Sequence, residues 1–170
     1  MSEEVTGDLV SDEARALIGL VVGRADGRIG REEFQRWAIS AGDRNPLYFD
    51  AGYARAMGYL DVIAPPLYVQ YATLGVADIG RLRPDGTPSA GGLIAVPLPR
   101  CPRRMAGGQD IAVYEPLYDG AVVTATRTIT GIEEKRGRSG PFVLVTTATR
   151  YTSQDGITVA DFSDTVVALP

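Results

Sequence analysis

The sequence predicts an α+β fold in one domain, on three observations. Helical spacing of apolar residues dominates the first half of the chain. The last third turns to runs rich in Val, Thr, Ile and Tyr, joined by short Gly-containing turns. Between them, the stretch after Pro65-Pro66 is apolar on most sides, as a buried helix is. A curved antiparallel sheet wrapped around one long central helix follows from that order.

Taken in order, residues 1–10 read as a loose acidic tail. Ser11 is a fair N-cap, with Asp12 and Glu13 in a first turn that favours negative charge, so residues 13–18 should form a short helix. Residues 19–22 read as apolar and buried, and 23–30 as a turn or short strand. Residues 32–41 are helical, with Phe34, Trp37, Ala38 and Ala41 on one face. A second short helix spans 51–57 and breaks at Gly58. Residues 67–77 form the long central helix, and prolines are tolerated at its start because those N–H groups lack partners anyway.

Residues 80–103 are rich in Pro and Gly without periodicity, which reads as a long loop. Within it, 93–98 is a brief strand or an interface-packing segment. The strands that follow are 109–114, 121–134, 142–153 and 157–167. Asp119-Gly120, residues 136–140 and Asp155-Gly156 supply the turns, and Asp-Gly between strands is a hairpin cue. The domain therefore runs from 11 to 170.

At 170 residues the chain can bury a real core. A net charge of −4 makes neither nucleic acid nor an anionic membrane an obvious partner. One cysteine excludes an intrachain disulfide and suits a reducing compartment. The acidic N-terminus lacks a signal pattern and no apolar run would span a bilayer, so a cytoplasmic protein is expected.

The polar centre of the chain is Gly42-Asp43-Arg44-Asn45-Pro46-Leu47-Tyr48. Gly42 tolerates positive φ, and Pro46 pushes Asn45 out of the helical region. Asp43 and Asn45 can fold back onto backbone N–H groups, so a turn-and-cap role is their plainest reading. The stretch resembles the MaoC-like hydratases and dehydratases, whose signature is Gly-Asp-x-Asn-Pro-(Leu/Ile/Val)-His. Gly42, Asp43, Asn45, Pro46 and Leu47 match. Tyr48 stands in the histidine position, and the chain has no histidine at all. Ala64-Pro65-Pro66, Gly107-Gly108-Gln109, Tyr114-x-Pro116-Leu117 and Tyr151-x-x-Gln154-Asp155-Gly156 look like the fatty-acid-synthase-type dehydratase branch of that group.

The resemblance implies a hotdog fold and a dimer that joins two sheets edge to edge. It implies water addition to an enoyl thioester, or removal from an R-3-hydroxyacyl thioester, with the acyl group on coenzyme A or a carrier protein and with no cofactor or metal. Asp43, Asn45 and Tyr48 take the catalytic positions. Pro66, Leu67, Tyr68, Arg104, Gly107 and Gly108 take the substrate-binding ones. The chemistry needs a group that exchanges a proton near pH 7. A phenol of pKa about 10 is a poor base there. Three readings stay open: a subunit incomplete alone and paired with an Asp-His-bearing hotdog chain; a homodimer using Asp43 with Tyr48 or Tyr68; and a non-catalytic acyl-thioester or natural-product binder.

Lesser features carry less. Arg100, Arg103 and Arg104 flank Cys101, where they could meet coenzyme A phosphates or simply face solvent, and their field could lower the thiol pKa. Gly91-Gly92 and Gly107-Gly108 lack the strand-loop-helix setting of a phosphate cradle. Residues 133–136 read as an exposed hairpin end, and Asp161 and Asp164 suggest no metal cluster.

Overall fold

The computed structural model describes residues 8–75, 79–82, 84 and 96–170. Five antiparallel strands form one sheet: β1 (Val21–Arg28), β2 (Arg103–Val113), β3 (Val122–Gly137), β4 (Gly140–Ser153) and β5 (Thr158–Leu169). Their order is β1-β3-β4-β5-β2. Four α-helical segments accompany it: α1 (Asp12–Arg15), α2 (Arg31–Ser40), α3 (Ala51–Ala56) and α4 (Tyr68–Thr73). This is the predicted α+β class and a hotdog arrangement of sheet and helix.

The last four strands were well marked by their β-branched content; β2 and β4 begin before their predicted starts, and β3 and β5 run on past their predicted ends. β3 and β4 pair from Val123↔Ser153 to Gly137↔Gly140, so Arg138 and Ser139 form the hairpin loop. Gly140 has φ +116°, a conformation that suits glycine there. The second hairpin turns at Asp155-Gly156, as expected. Asp119-Gly120 does not make a hairpin. β2 pairs with β5 and β3 with β1, so β4 and β5 lie between β2 and β3 and the turn before β3 belongs to a crossover within the one sheet. Asp119 Oδ1 accepts the Arg31 N–H (2.9 Å) and the Gly120 N–H reaches Ile29 O (2.8 Å), which ties that turn to the start of α2. Bulges at Ile129/Gly131 in β3 and Ala106/Gly108 in β2 bend the sheet.

The long central helix is the main correction. α4 runs only from Tyr68 to Thr73, with Gly75 at φ +69° beyond it. Residues 76 and 77 of the expected helix lie outside the described residues, as do residues 93–95 of the segment 93–98. α4 packs on β1 and β3, and Tyr68 and Val69 join Phe34 and Ala38 of α2 against Val123, Ala125, Tyr151 and Phe162 of the sheet. Ala41 is exposed and does not join the face of α2.

A second cluster covers the rest of the sheet. Leu9, Val10 and Ala14 pack with Val96, Leu98 and Cys101 on Ile129, Ile132, Val143, Val145 and Ala168. The predicted loose tail therefore ends by residue 8. Leu9 and Val10 are each 2% exposed, and the Leu9 N–H donates to Glu134 Oε2 at 2.9 Å. Ser11 caps α1 as predicted, accepting from Ala14 N–H at 3.2 Å. Residues 19–22 are not buried, because Val21 and Val22 begin an edge strand and Leu20 precedes it in the open.

One contact fixes the spacing of α4 from the sheet. A Cβ on Gly27 would lie 2.4 Å from the Ala72 carbonyl oxygen and 3.0 Å from Thr73 Cγ2. Only a residue without a side chain lets β1 and α4 meet this closely. Gly27→Ala should lower stability by about 1–3 kcal/mol, the range for overpacking a site that cannot relax. Chemical denaturation measures it directly.

Candidate functional site

The Asp43 turn is built from the end of α2. Ala41 is the C-cap and Gly42 follows at φ +72°. The Asp43 N–H donates to Ala38 O (2.9 Å) and the Gly42 N–H to Ile39 O (3.0 Å), a Schellman closure that satisfies the last carbonyls of the helix. Asp43 Oδ1 then accepts the Asn45 N–H at 3.0 Å. Asn45 Oδ1 accepts the Leu47 N–H at 3.1 Å and caps the 3-10 turn Pro46–Tyr48. Gln35 of α2 donates its amide to the Tyr48 carbonyl at 2.9 Å. Asp43 Oδ1, Asn45 Oδ1 and the Tyr48 carbonyl are thus engaged in holding the turn.

Tyr48 is a core residue, 6% exposed. Burial first, then the charge of Asp43, hold its phenol above the usual value of 10.0, while a hydrogen bond from Asn45 pulls the other way. The structure therefore brings Asp43, Asn45 and Tyr48 together, as the sequence predicts. Tyr59 also acts on the Tyr48 phenol, and Tyr59 lines a cavity of 230 Å³ with Ile63, Pro65, Pro66, Val69, Val113 and Leu117 among its walls. Tyr48 itself is not a wall of that cavity. The sequence reading missed Tyr59, for which neither spacing nor motif gave a signal. The Ile63 N–H donates to Leu47 O (3.1 Å) and the Ala64 N–H to Leu117 O (2.8 Å), which binds the turn to the cavity wall.

The predicted substrate residues divide. Pro66 lines the cavity, Leu67 is exposed at the start of α4, and Tyr68 sits in an aromatic cluster with Phe34 (6.0 Å) and Trp37 (6.1 Å). Pro65 and Pro66 lie just ahead of the N-cap Leu67, and Pro65 O accepts the Tyr68 N–H at 2.9 Å. Gly107 and Gly108 form the bulge of β2, in the strand pair with β5. Arg104 reaches Val96 O at 3.2 Å, Arg103 holds Pro170 O at 2.7 and 3.0 Å, and Arg100 holds Asp8 O at 3.2 Å. These arginines fasten chain segments to the sheet. Cys101 is fully buried, and burial pushes its thiol up despite the neighbouring arginines. Residues 133–136 are exposed, with Lys135 paired to Glu133. Among the described residues no group of three His, Cys, Asp or Glu is placed to hold a metal, and no helix is long and apolar enough to cross a membrane.

The tyrosines give a pH signature. Burial raises Tyr68 as well, and pushes Tyr151 up to about 12. A phenol whose folded pKa is raised adds stability below its unfolded value that is lost as pH climbs toward the folded one. Stability should therefore fall from about pH 10 upward. Absorbance titration should show Tyr48, Tyr68 and Tyr151 ionising above the ordinary phenol value, and Asp43→Asn should move Tyr48 downward. An unmoved Tyr48 would mean that the carboxylate does not act on it.

Residues 16–162 match the FAS1-like, dehydratase domain region. A protein of Streptomyces avermitilis named UPF0336 protein is 36% identical over 109 residues, 64% of this chain and 65% of that protein's own length. The chain thus spans under two thirds of that relative. Among solved structures, the ChsH1-ChsH2 complex of Mycobacterium tuberculosis superposes with a TM-score of 0.71 at 22% identity, covering 92% of this chain and 89% of that one. The C-terminally truncated HadBC (3R-hydroxyacyl-ACP dehydratase) complex of the same organism gives 0.58 at 19% identity, covering 89% and 96%. At these identities the structural likeness speaks to the fold.

Proposed function

The chain belongs to the FAS1-like dehydratase domain region family, and from that premise we propose that it is one subunit of an R-specific enoyl-thioester hydratase or 3-hydroxyacyl-thioester dehydratase. In this reading it supplies shape for the acyl thioester, carried on coenzyme A or a carrier protein, and a second hotdog chain supplies the Asp-His pair.

The observation that carries this reading is the buried phenol at position 48. Hydration needs a group that takes a proton from water and returns one at neutral pH. Tyr48 keeps its proton beyond pH 10, because burial and Asp43 both penalise the phenolate. Asp43 spends one oxygen on the Asn45 N–H. Two of the structural neighbours, ChsH1-ChsH2 and HadBC, are themselves complexes.

The partner surface in this reading is edge strand β2. All its residues are exposed, including Met105 (53%) and Ile111 (45%), and among the described residues its outer backbone edge lies next to no other strand. A second sheet joined there would cover an edge that isolated proteins avoid presenting. Met105→Lys with Ile111→Lys should split the native assembly while leaving the monomer folded. Native mass spectrometry reads the stoichiometry, and an intact assembly would place the contact elsewhere.

Activity assays on enoyl thioesters test the division of labour. The chain alone should give no turnover. Mixed with an Asp-His-bearing hotdog chain it should give an active complex, and Asp43→Asn in this chain should leave that activity unchanged. Robust turnover by the chain alone, lost in Asp43→Asn or Tyr48→Phe, would establish instead a homodimeric enzyme. Thioester binding without turnover in any pairing would establish a binding protein.

A further inference from the structure

One row of paired residues crosses the sheet from Ala125 of β3 through Tyr151 of β4 and Ala160 of β5 to Val113 of β2. Ala160 stands between two larger side chains and is 2% exposed. The 230 Å³ cavity opens beside it, with Val69 of α4 and Ala64 as further buried walls. Protein interiors rarely leave a void larger than a water molecule. A valine at position 64 or 160 would fill part of this one, so the void is kept at a cost to packing.

The cavity changes character from floor to mouth. Its buried walls Ile63, Ala64, Val69, Val159 and Ala160 carry only hydrocarbon side chains. Pro66, Tyr114 and Glu115 are exposed walls and form the mouth. Tyr114 and Glu115 follow Val113, the last residue of β2, and their N–H groups both donate to Val159 O (2.9 and 3.3 Å). The mouth thus lies past the strand edge assigned to the partner. Among the described walls Glu115 carries the one charge, so no cation there meets a phosphate. The cavity is also smaller than the roughly 300–1,000 Å³ of sites that enclose a whole drug-sized ligand. An apolar cavity of about 150 Å³ holds a benzene ring, so one of 230 Å³ has room for about nine carbon atoms.

We propose that this cavity takes the acyl end of the thioester, an uncharged hydrocarbon group of about nine carbons, and that Ala160 sets its depth. The inference rests on the acyl-thioester reading above. It gives this chain the tail of the substrate and leaves the coenzyme or carrier end outside the cavity.

The test is calorimetric titration of the purified chain, within its complex if one forms. The probes are straight saturated acyl-coenzyme A thioesters, lengthened stepwise from butanoyl to tetradecanoyl, and their N-acetylcysteamine counterparts. Affinity should rise about threefold to fourfold per added methylene, the scale of burying one, and level off near nine carbons. The levelling length should be the same on both carriers. Ala160→Val should shorten it by about two carbons, the number the substitution adds to the wall. Val69→Ala should lengthen it by about two, and it keeps the test decisive if Ala160→Val fails to fold. Affinity that ignores chain length, or a levelling length that neither variant moves, would overturn the cavity as the acyl site while leaving thioester binding intact. Failure of every probe to bind would overturn the thioester reading and this inference with it.

Discussion

Everything in this fold answers to one constraint: a five-stranded sheet must have its inner face covered, and the helix that lies on it is six residues long. A helix of that length spans about 9 Å, less than half of a strand like β3 or β4. The contact of Gly27 with the Ala72 carbonyl sets α4 close against one end. The other end needs another cover, and residues 9–14 together with 96–101 provide it. The ion pair of Arg15 with Asp8, and the bonds from Arg100 to Asp8 and from Arg103 to Pro170, are the fastenings of that second cover. Exposed pairs of this kind each stabilise little. The buried Leu9, Val10 and Leu98 contribute far more.

The same constraint explains which parts of the structure were legible in the sequence. Strands were, because alternation and β-branching record which face is buried. The Asp43 turn was, because Gly42, Asp43, Asn45 and Pro46 each have a local conformational reason to stand where they do. The length of α4 was not. Tyr71 and Leu74 continue an apolar pattern, yet both are more than half exposed, and the pattern alone cannot say that Gly75 ends the helix first. The role of residues 9 and 10 was also hidden, since two apolar residues beside an acidic tail carry no periodicity. Asp119-Gly120 misled for a related reason. A turn sequence records a change of direction, and only the pairing partners of β2 and β3 decide whether it closes a hairpin.

The candidate site separates along the same line. Proximity of Asp43, Asn45 and Tyr48 follows from chain spacing and was predictable. Their relation to the cavity is tertiary, and runs through Tyr59 and through the backbone bonds at Ile63 and Ala64. No local signal encodes it.

Position 48 bears on proton handling. There a phenol stands where the resembled motif has an imidazole, and the surrounding core makes the phenol less acidic still. On the proposed reading this leaves the site of this chain without its proton shuttle. The turn itself keeps its whole hydrogen-bond framework, from the Schellman closure at Gly42 to the Asn45 cap. A scaffold retained while its chemistry is emptied has a physical rationale if the turn's remaining task is to shape one wall of a shared cavity. In the proposed two-chain enzyme that task falls to this chain, and the partner keeps the groups that titrate.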